Sequence, residues 1–280
     1  MLEVYFESDK EVTAFRNQLN PYRKQIRVHQ QTDAKWGSRL RLEGDIARAE
    51  LIHLISTVMA NVFIEEHLSD VIIHKITDGF YFSDPDEINR IYDFTMWILF
   101  ETDADNQYLR EHVDTANLLQ HIFFLQLKEH TSVHFNGIIH FRLAQFLDFV
   151  RECVGRAIEE FKREEDHQAF IDMLRHYIEK KDPCVDLVHI EQDENFIFYN
   201  EKGEVISKDM LRMWMFQAPL YALGLHENEF NLSPLIAMSP AKIKVYGNDP
   251  ADPKILTITN IFQERVEFKM KGTSILSRGE

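Results

Sequence analysis

HFNGIIHFRLAQFLDFVRECVGRAIEEF, residues 134–161, decides how the rest of the chain is read. Ile139, Leu143, Phe146, Leu147, Val150, Cys153, Val154, Ala157, Ile158 and Phe161 recur at helical spacing and put one broad apolar stripe on a 3.6-residue helix. Asp148, Glu152 and Glu159 fall on the opposite side. Asn136 stands where an N-cap belongs, since its short side chain accepts from exposed backbone N–H groups. Gly137 then permits a close approach or an easy turn into the helix. Arg142 sits at the edge of the stripe, beside Phe135, Phe149 and Cys153. That position suits a stem lying on apolar surface with its guanidinium reaching a carboxylate. The alternative is an arginine held for an anionic ligand or partner.

Around this stretch the helical period dominates from Asp45 to Lys180. The spacing predicts a first helix over 45–75, interrupted near Ser69-Asp70. Asp84 as N-cap, Pro85 at the first helical position and Glu87 three residues after the cap mark the start of another. A third is expected over 115–128 and a further one over 165–180, closed by Asp182-Pro183. Before this section, 2–6 reads as a strand, 9–19 as a short helix, and 25–31 and 38–42 as two strands across a turn, a βαββ opening. After it the period switches to two. Strands are expected over 184–190, 196–199, 204–207, 242–246 and 265–269, with the Asn200-Glu201-Lys202-Gly203 turn between the second and third. Helices are expected over 209–216 and 255–262, and Ser233-Pro234 opens a short helical turn with Ser233 as cap. The chain therefore reads as α+β: a mostly helical middle packed with a small mixed sheet from the C-terminal part, and an N-terminal βαββ piece that joins it or forms its own lobe. The organisation expected is 1–43, 44–182, 183–270 and a polar tail over 271–280.

Composition bounds the function. The 280 residues are 45% hydrophobic and 28% charged, an ordinary globular balance, and the 21 Phe imply a phenylalanine-rich core. A net charge of −15 argues against a general nucleic-acid binder, because phosphate contacts need a basic surface. The charge is uneven, with nine Lys or Arg against four acids between Lys10 and Arg48. This basic pole is either a solvated face or a contact for an acidic partner, a membrane or RNA. Two cysteines, far apart, make neither a disulfide framework nor a CxxC motif, and Cys153 in the stripe reads as a buried thiol. No signal peptide or apolar run of bilayer length is present, so the expected location is the cytoplasm, without membrane insertion.

The chemistry-bearing residues are sparse. Thirteen histidines show neither HExxH spacing nor a Cys/His finger pattern, and no metal ligands or cofactor are assigned. The acidic loop His226-Glu227-Asn228-Glu229 lies between apolar segments. Its carboxylates could hold a divalent ion for a hydrolase or nuclease, or simply be solvated. Phosphate-binding, dinucleotide-binding and nucleophile-elbow motifs are all absent. Binding candidates are thus Arg142, His226, Glu227 and Glu229, with no catalytic residue among them.

Gly137-Ile138-Ile139-His140-Phe141-Arg142-Leu143, continuing to Phe161, is similar to a G-F-x-x-F-R-L segment, with Ile138 in place of the aromatic. Asn231 to Ile243, NLSPLIAMSPAKI, is similar to L-I-S-x-L-I-x-x-A-P-x-K-I. Both segments, with Ile261-Phe262 and Arg265-Val266, resemble the YtxC-like sporulation protein family of endospore-forming Firmicutes, over nearly the whole chain. The resemblance implies a sporulation context and no particular reaction. It also implies a small cysteine cluster after the Arg-Val pair. Phe268, Thr273 and Leu276 stand in that region here, so no metal or redox role is carried over from it. The reading that results is a non-enzymatic factor acting through an unidentified protein partner. A carboxylate-based metal-dependent hydrolase or nuclease, and nucleic-acid contact through the basic pole, are the alternatives.

Overall fold

A computed structural model describes residues 1–33, 37–101, 113–193, 195–226 and 229–270. The chain divides into two compact units, Met1–Arg163 and Glu164–Glu280. Among the described residues each unit holds one four-stranded sheet, with strand order 26–33, 37–44, 2–6, 132–134 in the first and 197–199, 187–191, 242–247, 266–270 in the second. The α+β class follows directly. The βαββ opening forms its own sheet rather than joining the C-terminal one.

In the first unit β1 is Leu2–Phe6, α1 Asp9–Leu19, β2 Ile26–Asp33 and β3 Gly37–Gly44. Alternation sets the faces: Leu2, Val4 and Phe6 of β1 and Leu40 and Leu42 of β3 are buried, and the register pairs Leu2 with Leu42 and Val4 with Leu40. The other face carries Arg27, Arg39 and Arg41 of the basic pole. Arg39 stands opposite Tyr5 and pairs with Glu3, and Arg41 pairs with Glu43 at 3.0 Å. β4, Ser132–His134, runs parallel to β1 and completes the sheet. Three residues are too short to show an alternation, so sequence pattern passed this strand over.

The helices of this unit are α2 Arg48–Glu66, α3 Leu68–His74, α4 Pro85–Phe100, α5 Thr115–Glu129, α6 Phe135–Arg142 and the start of α7, Ala144–Lys180. The expected break near Ser69-Asp70 falls instead at His67, whose φ of −127° is outside the helical region. Asp84 caps α4 as its sequence announces, accepting from the N–H groups of Asp86 and Glu87. The core joins Phe6, Phe15, Phe63, Phe123, Phe135 and Phe146 with the α2 and α5 faces. The first turns of α7 add Val150, Cys153, Val154, Ala157 and Phe161.

Residues 134–161 are corrected in three ways. They are not one helix: His134 ends β4, and Leu143, fully buried, leaves the helical region with ψ near 6° between α6 and α7. Asn136 is not a cap but lies inside α6. There its Oδ1 accepts from the Glu7 N–H and its Nδ2 donates to Glu11 Oε1. Finally, the helix expected over 165–180 is the continuation of α7. Residues 162–169 are exposed on every side, so no stripe marks them. Lys, Arg, Glu, Gln and Ala nevertheless propagate a helix at little cost, and neither Gly nor Pro interrupts them.

The second unit takes Ile171, Leu174 and Ile178 of α7 into its core. It continues with β5 Leu187–Glu191, β6 Ile197–Tyr199, α8 Lys208–Gln217, α9 Ser233–Met238, β7 Lys242–Gly247, α10 Pro253–Phe262 and β8 Val266–Met270. β5 and β6 pair antiparallel. The Asn200–Gly203 turn forms after β6 as expected, with Gly203 at φ 78° and Asn200 Oδ1 accepting from the Lys202 and Glu204 N–H groups, but the strand expected over 204–207 is reduced to a single bridge between Tyr199 and Val205. β5, β7 and β8 run parallel through the α8–α9 and α10 crossovers. Cations close the helix ends. Lys181 Nζ donates to the Ile236 and Ala237 carbonyls at the end of α9, and the Arg175 guanidinium donates to Asn260 O at the end of α10.

Candidate functional site

The second unit presents an apolar cleft built on α8. Ser207 caps this helix, its Oγ accepting from the Met210 N–H. Leu211 and Met215, four residues apart, point into the core. The sequence KDMLRMWMFQ holds more apolar residues than that one stripe uses, and the surplus faces outward. Met213 is exposed, and Phe216 is 90% exposed. Ala218 then breaks the helix before Pro219, and the turn Leu220–Leu223 buries Leu220 and Leu223 while leaving Tyr221 93% exposed. Gly224 at φ 69° ends that turn in the left-handed region. A cleft of about 600 Å³ opens here, lined by Met215, Phe216, Leu220, Tyr221 and Leu225, with Arg212 and His226 supplying polar groups. The Arg212 guanidinium lies over the Phe230 ring at 5.6 Å, a cation–π arrangement that holds it against the surface.

The sequence candidates separate. His226 lines this cleft and is exposed. Glu227 lies outside the described residues. Glu229 has a different task from the carboxylate ligand role considered for it. Its Oε1 accepts from the Asn231 N–H and its Oε2 from the Leu232 and Ser233 N–H groups, each at 2.8 Å. It thereby satisfies the open end of α9 with a negative charge where the helix dipole favours one. Ser233, expected as the cap, is instead the first helical residue, and its Oγ donates to His226 O. Among the described residues no group of three or more His, Cys, Asp or Glu side chains comes together as a metal-ligand set.

Arg142 belongs to the first unit. It is exposed at the end of α6, and among the described residues it makes no hydrogen bond or ion pair. No carboxylate partner stands beside it among the described residues. Phe141 beside it is 80% exposed, and the two border a shallow depression with His130, His134 and Gly137.

Sequence reasoning missed two features. Phe216 and Tyr221 were legible as apolar residues beyond what one helical stripe needs. The other is the polar face of the second sheet, where cross-strand register lines up His189, Lys244 and Glu267 in one row and Glu191, Tyr246 and Lys269 in the next. Burial and the ammonium groups of Lys244 and Lys269 push the His189 imidazole below its ordinary value. Burial together with the carboxylate of Glu191, which accepts from the hydroxyl at 2.7 Å, pushes Tyr199 up to about 12.

Both units are α+β, and the second bears an exposed Met and aromatic surface. The chain belongs to the YtxC-like family, whose model matches residues 53–267. It is 25% identical to the uncharacterized protein YtxC of Bacillus subtilis (strain 168) over 287 aligned positions, covering 95% of this chain and 93% of that protein. No solved structure matches it. No helix among the described residues is long and apolar enough to cross a membrane.

Proposed function

We propose that this chain is a cytoplasmic, sporulation-associated protein that works through contact with another protein, and that the partner docks on the α8 cleft. The observation that carries the reading is the near-complete exposure of Phe216 and Tyr221, both lining that cleft. Exposed aromatic side chains are efficient binding anchors. Covering each contributes about 2 kcal/mol of apolar transfer energy. Methionines around them adapt to a partner's shape. Arg212 and His226 set the chemistry of the partner: one or two apolar side chains flanked by carboxylate. The carboxylate-based hydrolase has no comparable support, since Glu229 is committed to capping α9.

The test is a Phe216→Ser, Tyr221→Ser double variant expressed in a sporulating endospore former in place of the wild type. Both residues are exposed, so thermal unfolding is expected to stay unchanged. Photo-crosslinking from position 213 is expected to capture one discrete partner in the wild type and to lose it in the variant, with reduced spore yield. Normal spore yield from the double variant would refute the reading.

A further inference from the structure

The polar face of the second sheet carries chemistry that the α8 cleft does not use. The core side of the same strands is apolar: Phe198, Ile190 and Val245 are buried in one row, and Val188 and Ile243 in the next. On the polar side the rows read Tyr199, His189, Lys244, Glu267 and Ile197, Glu191, Tyr246, Lys269. Strand pairing thus fixes which polar groups are neighbours.

His189 is 5% exposed, and its ring stacks on Tyr246 with centroids 5.8 Å apart. Its Nδ1 lies 3.2 Å from the Tyr246 hydroxyl oxygen. A neutral imidazole and a phenol share a single hydrogen across that contact. If the hydroxyl donates, Nε2–H is left as a donor. If Nδ1–H donates, the hydroxyl hydrogen is left instead. Either way the pair offers one further donor. The two acids of the face are already engaged. Glu191 accepts from the Tyr199 hydroxyl, and Glu267 is shared by Lys242 at 3.1 Å and Lys269 at 3.3 Å. Lys244, between His189 and Glu267 in its row, makes no hydrogen bond or ion pair among the described residues. Three lysines against two glutamates leave this face positive on a chain of net charge −15.

We infer that this face binds the phosphate of a phosphomonoester. Lys244 Nζ supplies the principal counter-charge and Lys269 Nζ the second, while the spare donor of the His189–Tyr246 pair hydrogen-bonds a phosphate oxygen. A dianion with three terminal oxygens can meet all three groups at once. A carboxylate carries one charge and is drawn less strongly to the two ammonium groups. Ammonium groups bind phosphate as point charges and do not require the bidentate fork that a planar carboxylate favours.

The experiment is a titration of the full chain, with histidine ring carbons labelled, followed through the His189 ring signal. The probes are inorganic phosphate, AMP and O-phosphoserine, with acetate at matched ionic strength as the comparison. A saturable shift of the His189 signal with the phosphates and a markedly weaker response to acetate are expected. Lys244→Gln, on the polar face and therefore compatible with folding, weakens the binding about tenfold through loss of one charge-assisted contact. Lys269→Gln weakens it less, and Phe216→Ser leaves it unchanged, which separates this site from the α8 cleft. Tighter binding of AMP assigns the phosphate to a nucleotide, and tighter binding of O-phosphoserine to a phosphorylated side chain. The inference is overturned by the absence of saturation, by an equal shift with acetate, or by a Lys244→Gln variant that binds as the wild type does.

Discussion

Replacing Glu11 tests how the first unit holds its N-terminal sheet against its helices. Glu11 is 2% exposed, yet it is a carboxylate. Its burial is offset by three donors: the Ser8 N–H at 3.1 Å, His67 Nε2 at 2.8 Å and Asn136 Nδ2 at 2.9 Å. One of these closes the capping box of α1, one reaches the break between α2 and α3, and one comes from α6. An ionised carboxylate only accepts, so the hydrogen lies on His67 Nε2. Charge-assisted bonds contribute roughly 1.5–3 kcal/mol each, and partial access of the three donors to water puts Glu11→Ala at about 3 kcal/mol in total. Glu11→Gln retains the shape but turns an NH2 toward a donor, for about 1–2 kcal/mol. Hydrogen exchange read by mass spectrometry separates the two units, and faster exchange in α1, β4 and α6 is expected while the second unit is unaffected.

The same carboxylate predicts a pH dependence. Burial alone would raise its pKa, but the bonds from His67, Asn136 and Ser8 outweigh burial and hold it below the ordinary 4.5. Its contribution is therefore complete above about 4.5 and is lost as pH falls through the lower folded value. The stability gap between wild type and Glu11→Gln, which cannot titrate, narrows below that pH. A gap under about 0.5 kcal/mol at neutral pH, or one that does not change with acid, would refute the argument.

Three further outcomes are expected. Ser239 is fully buried with φ 43° and an Oγ that finds no partner among the described residues. Ser239→Gly relieves both penalties and raises stability in denaturant unfolding by about 1 kcal/mol after the entropy of glycine is deducted. Gly37 has φ 77°, and a Cβ there would lie 2.3 Å from the Phe6 carbonyl oxygen. Gly37→Ala therefore lowers thermal stability by at least about 2 kcal/mol, with β1 and β3 exchanging first. Tyr199, raised to about 12, ionises late in an absorbance titration, and Glu191→Gln brings it back toward 10.0. Because the folded value is the higher one, this stabilisation is complete below the ordinary value and is lost as pH rises through about 12.

What could be read in one dimension was whatever local chemistry decides. Asp84-Pro85 starts α4 because an oxygen three bonds from the backbone and a fixed φ suffice for a helix start, whatever lies around them. The Asn200 to Gly203 turn formed for the same reason, as did the alternation of Leu2, Val4 and Phe6. The α+β class and the family resemblance also came from the chain alone. The failures share a cause, which is partners distant in sequence. Asn136 looked like a cap because nothing local told of Glu11, 125 residues away. β4 exists because β1 offers an edge to three residues that would not be a strand by themselves. Glu229 looked like a ligand until α9 folded back onto its carboxylate. The stripe of residues 134–161 was real, but only packing shows that it is divided at Leu143 and that its helix runs on to Lys180. Sequence determined which faces are apolar. The tertiary structure decided which remain uncovered, Phe216 and Tyr221 among them, and which polar side chains strand register sets beside His189. Burial and register are properties of the neighbours a residue acquires, not of the residue itself.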